Sequence, residues 1–168
     1  MTVRISKPEF NLREKLTELD YGRVPYEKMP AGSIIQVVDH KADNSPTTTS
    51  GTYADITGTS FDIFPKFHTS KIFVSWDFGT EQQGAISGIA FQVYRKIDDG
   101  TGTLLKTQDQ YSYSTHTGWS NAAGGVNITY IDTPKSIGKL TYYLRWHVEQ
   151  AGTLYINYDD GSTKDGIA

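Results

Sequence analysis

The chain has 168 residues and a formal charge of −3, enough for one domain with a sizeable core and without the basic excess that binding to a nucleic-acid backbone requires. It contains no cysteine, so disulfides, thiolate catalysis and cysteine-ligated metals are excluded. Eleven tyrosines and sixteen glycines favour strands and turns over helices, and no run of about 18 apolar residues predicts membrane insertion. The expectation is a soluble all-β protein, and the opening residues do not read as a secretory signal.

Near the N-terminus, "FNLREKLTELDYG" reads as a short helix. Asn11 can cap its first turn, Glu14 can reach back as in a capping box, and Gly22 supplies a stop. Leu12, Leu16 and Leu19 form a narrow apolar stripe. A helix of about ten residues is not stable alone in water. This one therefore packs either on its own domain or on another chain. In the following "RVPYEKMPAGS", Pro25, Pro30 and Gly32 stop helix propagation and predict an extended arm. The division expected is a helix and anchoring arm over 1–32 and a β domain over 33–168.

From residue 33 the apolar period becomes that of strands. Strands are predicted at Ile34–Asp39, Tyr53–Ile56, Phe61–Phe64, Lys71–Phe78, Ile89–Ile97, Gln110–Ser114, Val126–Ile131, Lys139–Val148 and Leu154–Tyr158, separated by turn material such as "DDGTG" and "TPKSIG". The clearest alternation is in "KLTYYLRWHV", with Leu140, Tyr142, Leu144, Trp146 and Val148 on one face. "KIFVSWDF" repeats it with Ile72, Val74, Trp76 and Phe78, and "TLYINY" with Leu154, Ile156 and Tyr158. Short antiparallel strands with one buried and one wet face predict a jelly-roll-like β-sandwich. "KADNSPTTTSG" and "YSTHTGWSNAAGG" read as polar loops, and "YDDGSTKDGIA" ends in turn material. There, either a short strand closes the sheet or an open edge invites pairing with a neighbour.

Chemistry is sparse. His40, His68, His116 and His147 have no metal-ligand spacing, no serine stands in a G-x-S-x-G elbow, and Gly124-Gly125 does not follow the pattern of a phosphate cradle. The two "DDG" stretches read as hairpin turns rather than calcium loops, and Asn127-Ile128-Thr129 matches a glycosylation acceptor but lies in a strand. No catalytic residue, metal site or cofactor is assigned. Tyr111, Tyr113 and Trp119, with His116 between them, are the candidate receptor- or sugar-contact patch; their bland alternative is loop closure over the core.

The opening "RISKPEFNLREKLTEL" with "VPYEKMPAGSIIQVV" resembles short virion proteins of tailed bacteriophages, especially those of marine and cyanobacterial hosts. "GTYADITG", "FDIFP", "SKIFVSW", "TPKSIGKLTYYLRW" and "AGTLYINY" follow the order seen in jelly-roll modules of phage fibres, knobs and capsid decorations. The resemblance implies a non-enzymatic virion protein, anchored to other capsid or tail proteins through Phe10, Leu12, Leu16, Leu19, Pro25, Tyr26, Met29 and Pro30. It also implies a homotrimer, architecturally related to tumour-necrosis-factor heads. Such modules generally continue into a further apolar strand where this chain has turn material. The competing readings are a fibre-tip module that binds a receptor or host-surface glycan, and a small polysaccharide-degrading enzyme with paired carboxylates.

Overall fold

The computed structural model describes residues 29–30, 32–42, 44–83, 88–112, 121–149, 152–159 and 162–163, so the predicted helix and most of the arm lie outside the described residues. In chain order the strands are β1 (Thr47–Thr48), β2 (Ala54–Asp55), β3 (Phe61–Ile63), β4 (Ile72–Gln83), β5 (Ile89–Ile97), β6 (Thr103–Ser112), β7 (Asn121–Asp132), β8 (Leu140–Val148), β9 (Thr153–Ile156), β10 (Tyr158–Asp159) and β11 (Ser162–Thr163). One sheet has the order β1-β9-β4-β7; the other has β2-β8-β5-β6, with β3 pairing β8. All pairs are antiparallel, and β10 and β11 form a hairpin of their own. The result is an all-β sandwich with jelly-roll-like strand order. Two compact units, Met1–Val37 and Val38–Ala168, divide the chain, and every strand named here falls in the second.

The period-two patterns become the interior. Ile72, Val74, Trp76 and Phe78 of β4 are buried, as are Leu140, Tyr142, Leu144, Trp146 and Val148 of β8 and Leu154 and Ile156 of β9. Each fully buried side chain of this size contributes roughly 1.5–3 kcal/mol. Phe78 and Phe91 meet edge-on between the sheets at 5.7 Å, and Phe61 packs on Trp76 at 5.6 Å. Charge also enters this layer: Arg95 Nη1 lies 2.7 Å from Asp132 Oδ2, with side-chain exposures of 13% and 7%. Tyr142 Oη donates to the same carboxylate oxygen at 2.7 Å. The pair ties the end of β7 to β5 and β8.

Between β2 and β3 the ladder on β8 is interrupted, and a buried threonine repairs it. Ile56 N–H still donates to Leu144 O at 2.9 Å, while Leu144 N–H donates to Thr59 Oγ1 at 3.1 Å. Thr59 Oγ1 donates to Ile56 O at 2.8 Å, and Thr59 O accepts Trp76 Nε1–H at 2.9 Å. In the β5 to β6 turn, Asp98 (φ 48°) and Asp99 (φ 61°) occupy the left-handed region, and Gly100 N–H donates to Ile97 O at 2.9 Å. That is the primed hairpin geometry expected of "DDG".

Several expectations need correcting. Ile34–Asp39 forms no strand; β-branched residues favour a strand only where a ladder partner exists, and this segment has none among the described residues. The strand predicted at Gln110–Ser114 begins at Thr103, because register shifts against β5 blur the alternation of "TLLKTQD". Asn121–Gly125, read as loop, belongs to β7, where pairing with β4 overrides the low strand propensity of Ala and Gly. β4 likewise runs on to Gln83, and the "KADNSPTTTSG" loop contains β1. The second face of β8 is half-buried rather than wet, with Tyr143 buried outright.

Thr59→Val keeps the volume but strands the Leu144 N–H. Denaturant unfolding should show a loss of about 1–3 kcal/mol, with no change in the far-UV spectrum.

Candidate interaction surfaces

Of the predicted anchoring residues, Phe10, Leu12, Leu16, Leu19, Pro25 and Tyr26 lie outside the described residues. Met29 is half-buried and Pro30 exposed; Ser33 N–H donates to Pro30 O at 3.1 Å, closing a turn around Gly32 (φ 88°). Beyond this turn Ile34 is 79% exposed and Val37 80%. The backbone of Tyr111 is in β6, but its side chain, Tyr113, His116 and Trp119 are outside the described residues.

The outer face of the second sheet carries a cluster the sequence reading did not single out. Register pairs Gln92 with Arg145, Tyr94 with Tyr143 and Lys96 with Thr141. The Tyr94 and Tyr143 rings lie 5.4 Å apart. Lys96 Nζ sits 5.0 Å from the Tyr143 ring centre, and the Arg145 guanidinium 5.3 Å from that of Tyr94. Arg145 Nη2 also donates to Tyr53 O at 2.7 Å, and its Nε comes within 3.0 Å of Asp55, though off-line for a hydrogen bond. Tyr53 meets His147 edge-on at 4.3 Å and donates its hydroxyl to Asp109 at 3.2 Å. Thr141 Oγ1 donates to Asp62, and Lys139 Nζ lies 2.5 Å from Asp99.

Burial, then the neighbouring Asp109 carboxylate, pushes the Tyr53 phenol up to about 12. Burial also raises Tyr143, and burial with the hydrogen bond to Asp132 raises Tyr142 further. The hydrogen bond to Asp99 raises Lys139. Rings and charges on this face thus contact one another, with a cation against each of the Tyr94 and Tyr143 rings.

The outer face of the first sheet is different. Phe73 and Ile131 are directly opposed across β4 and β7, and are 65% and 62% exposed. Further along the same two strands Gly79 opposes Gly125; a Cβ at Gly79, Gly124 or Gly125 would meet nothing within 4 Å. The signal for Phe73 and Ile131 was in the sequence: each is a large apolar residue at the polar phase of its strand's alternation. Among the described residues no group of three His, Asp or Glu side chains could hold a metal ion.

No protein-family model matches the chain, and no curated protein matches its sequence. Solved structures give distant similarity. A "Family 16 Carbohydrate Binding Module-2" is 13% identical with a TM-score of 0.29, over 73% of this chain and 74% of that one. A chain of infectious bursal disease virus, Gx strain, is 13% identical with a TM-score of 0.30, over 76% of this chain but 33% of that one. The Eiger TNF of S. frugiperda is 10% identical with a TM-score of 0.26, over 74% and 96%.

Phe73→Ser and Ile131→Ser should each change the unfolding free energy by no more than about 0.5 kcal/mol in denaturant titrations, since neither side chain is buried by its own chain. The raised phenols set a pH limit. Unfolded tyrosines lose their protons near pH 10, whereas native Tyr53, Tyr142 and Tyr143 keep theirs, so the unfolded state binds fewer protons above that pH. The stability these phenols contribute is complete below pH 10 and falls as pH rises toward 12. Unfolding midpoints at pH 8, 10 and 11 should show it, with a shallower decline in Tyr142→Phe.

Proposed function

We propose that the chain is a non-enzymatic structural protein of a virion, of tailed-phage type. Its N-terminal arm docks on a neighbouring capsid or tail protein, and its β-sandwich projects outward as a decoration or tail-associated component. The observation that carries this reading is the exposure of Ile34 and Val37 in a segment of the first compact unit that belongs to no strand. An apolar run held open to water is characteristic of a surface waiting for a partner. The resemblance of "VPYEKMPAGSIIQVV" to phage virion arms points the same way. A homotrimer fits the reading, since a ring multiplies weak arm contacts by avidity.

The cation-covered rings of Tyr94 and Tyr143 do not favour a glycan-binding role for the second sheet's outer face. The fibre-tip alternative therefore rests on Tyr111, Tyr113, His116 and Trp119 alone.

Deleting residues 1–37 should leave a folded, soluble sandwich that no longer enters particles, as read by circular dichroism and by its absence from purified virions. Incorporation of the truncated protein at the normal level would end the anchoring proposal.

A further inference from the structure

Exposed apolar side chains need no explanation when they are scattered, but those of the sandwich are gathered at one end. Among the described residues from β1 onward, the exposed large apolar side chains are Phe64, Phe73, Leu104, Ile131 and Ile137. Phe73 is the second residue of β4, Leu104 the second of β6 and Ile131 the last but one of β7, while Phe64 directly follows β3 and Ile137 precedes β8. Antiparallel pairing brings these positions together: Phe73 opposes Ile131, Leu104 opposes Tyr94, and Ile63 and Ile97 both oppose Leu140. The Arg95–Asp132 pair bridges the two sheets at this same end. At about 3.3 Å per strand residue, no strand position among the five lies deeper than about 7 Å from it. Phe73 and Ile131 are on the outer face of the first sheet, and Leu104 is beside Tyr94 on that of the second, so the apolar side chains surround the end instead of forming one flat patch.

The same end is cationic. Segments 60–73, 94–106 and 130–142, which build it, hold seven lysines and arginines and four aspartates, in a chain whose formal charge is −3. Those carboxylates are taken: Asp132 by Arg95 and Tyr142, Asp62 by Thr141, Asp98 by the Lys139 N–H and Asp99 by Lys139 Nζ. Lys71 and Lys135 are exposed and pair with no carboxylate among the described residues. Lys135 also holds φ at 53°, a conformation that favours glycine, so its side chain is kept there despite backbone strain. A rigid flat partner cannot cover apolar side chains on opposite sheet faces at once, whereas a deformable layer takes them all when the end sinks into it. An interfacial depth of about 5–10 Å suffices. We propose that this end of the sandwich docks on an anionic lipid surface, with Phe64, Phe73, Leu104, Ile131 and Ile137 entering the interface and Lys71 and Lys135 meeting headgroup phosphates. The rest of the chain carries the excess negative charge, which such a surface repels, so the sandwich is oriented end-on as it approaches. The contact lies on the bilayer without spanning it, and it goes beyond the docking role of the arm and does not depend on it.

The test sediments the full chain with sucrose-loaded vesicles, of phosphatidylcholine alone or of equimolar phosphatidylcholine and phosphatidylglycerol. The anionic vesicles should retain roughly tenfold more protein. Phe73→Ser with Ile131→Ser should lower that retention roughly tenfold, and Lys71→Glu with Lys135→Glu by at least as much, each with an unchanged far-UV spectrum because all four side chains are exposed. Ile34→Ser with Val37→Ser, exposed apolar positions in the arm, should leave retention unchanged. Phe73→Trp and Leu104→Trp, on opposite faces, should both gain quenching by brominated lipid over the parent protein. Equal retention on the two vesicle types, no retention, loss of retention in the Ile34 and Val37 variant, or added quenching at only one of the two tryptophans would each overturn the proposal. Binding to immobilised polyglutamate but not to vesicles would assign this end to an acidic protein and overturn the lipid contact.

Discussion

The sandwich is held by the apolar layer between its two sheets, to which β4, β5, β7, β8 and β9 all contribute buried side chains. β4 and β8 each place alternate residues into that layer, from Ile72 to Phe78 and from Leu140 to Val148, so neither strand can slip by one residue without turning its apolar set to water. Arg95 and Asp132 share the layer, and a buried ion pair tolerates no loss of a partner. Breaking such a pair costs about 3–5 kcal/mol, whereas forming it adds little, so its effect is to make the alignment of β5, β7 and β8 specific. Tyr142 completes the arrangement by donating to the same carboxylate.

The two outer faces then diverge. On the second sheet, Arg145, Tyr94, Lys96 and Tyr143 satisfy one another, and Tyr53 covers His147. On the first sheet, Phe73 and Ile131 are turned outward and exposed, with no ring or cation contact of this kind among the described residues. One face thus satisfies its charges and rings internally, and the other leaves two opposed apolar side chains exposed. The asymmetry distinguishes the two sheets: the outer face of β1-β9-β4-β7 keeps an opposed apolar pair in water, whereas that of the other sheet does not.

The sequence displayed the core well, because period two survives wherever one strand face is buried. "KLTYYLRWHV" and "KIFVSWDF" show it directly, and β5 runs over the residues expected. It displayed the edges poorly. β6 carries register shifts that scramble its alternation, and the Ala-Gly start of β7 is a strand only because β4 lies beside it. "IIQVV" failed in the opposite sense, since propensity cannot say whether a ladder partner is present. The outer cluster around Arg145 was invisible for a third reason: it joins Tyr53, Tyr94 and Tyr143 through cross-strand register, which no local pattern encodes.

The position of β9 bears on how the chain is made. Thr47 pairs with Tyr155 and Thr48 with Leu154, and β9 lies between β1 and β4. Emerging from the ribosome, β1 waits for β2 to β8 to be made before β9, its partner among the described strands, exists. Until then Thr80 and Gln82 of β4 lack Ile156 and Leu154 beside them. Closing so long a loop is slow, so β1 joins the first sheet after β4 and β7 can already have paired along their length. The β1 edge is thus the last part of the first sheet to be fixed.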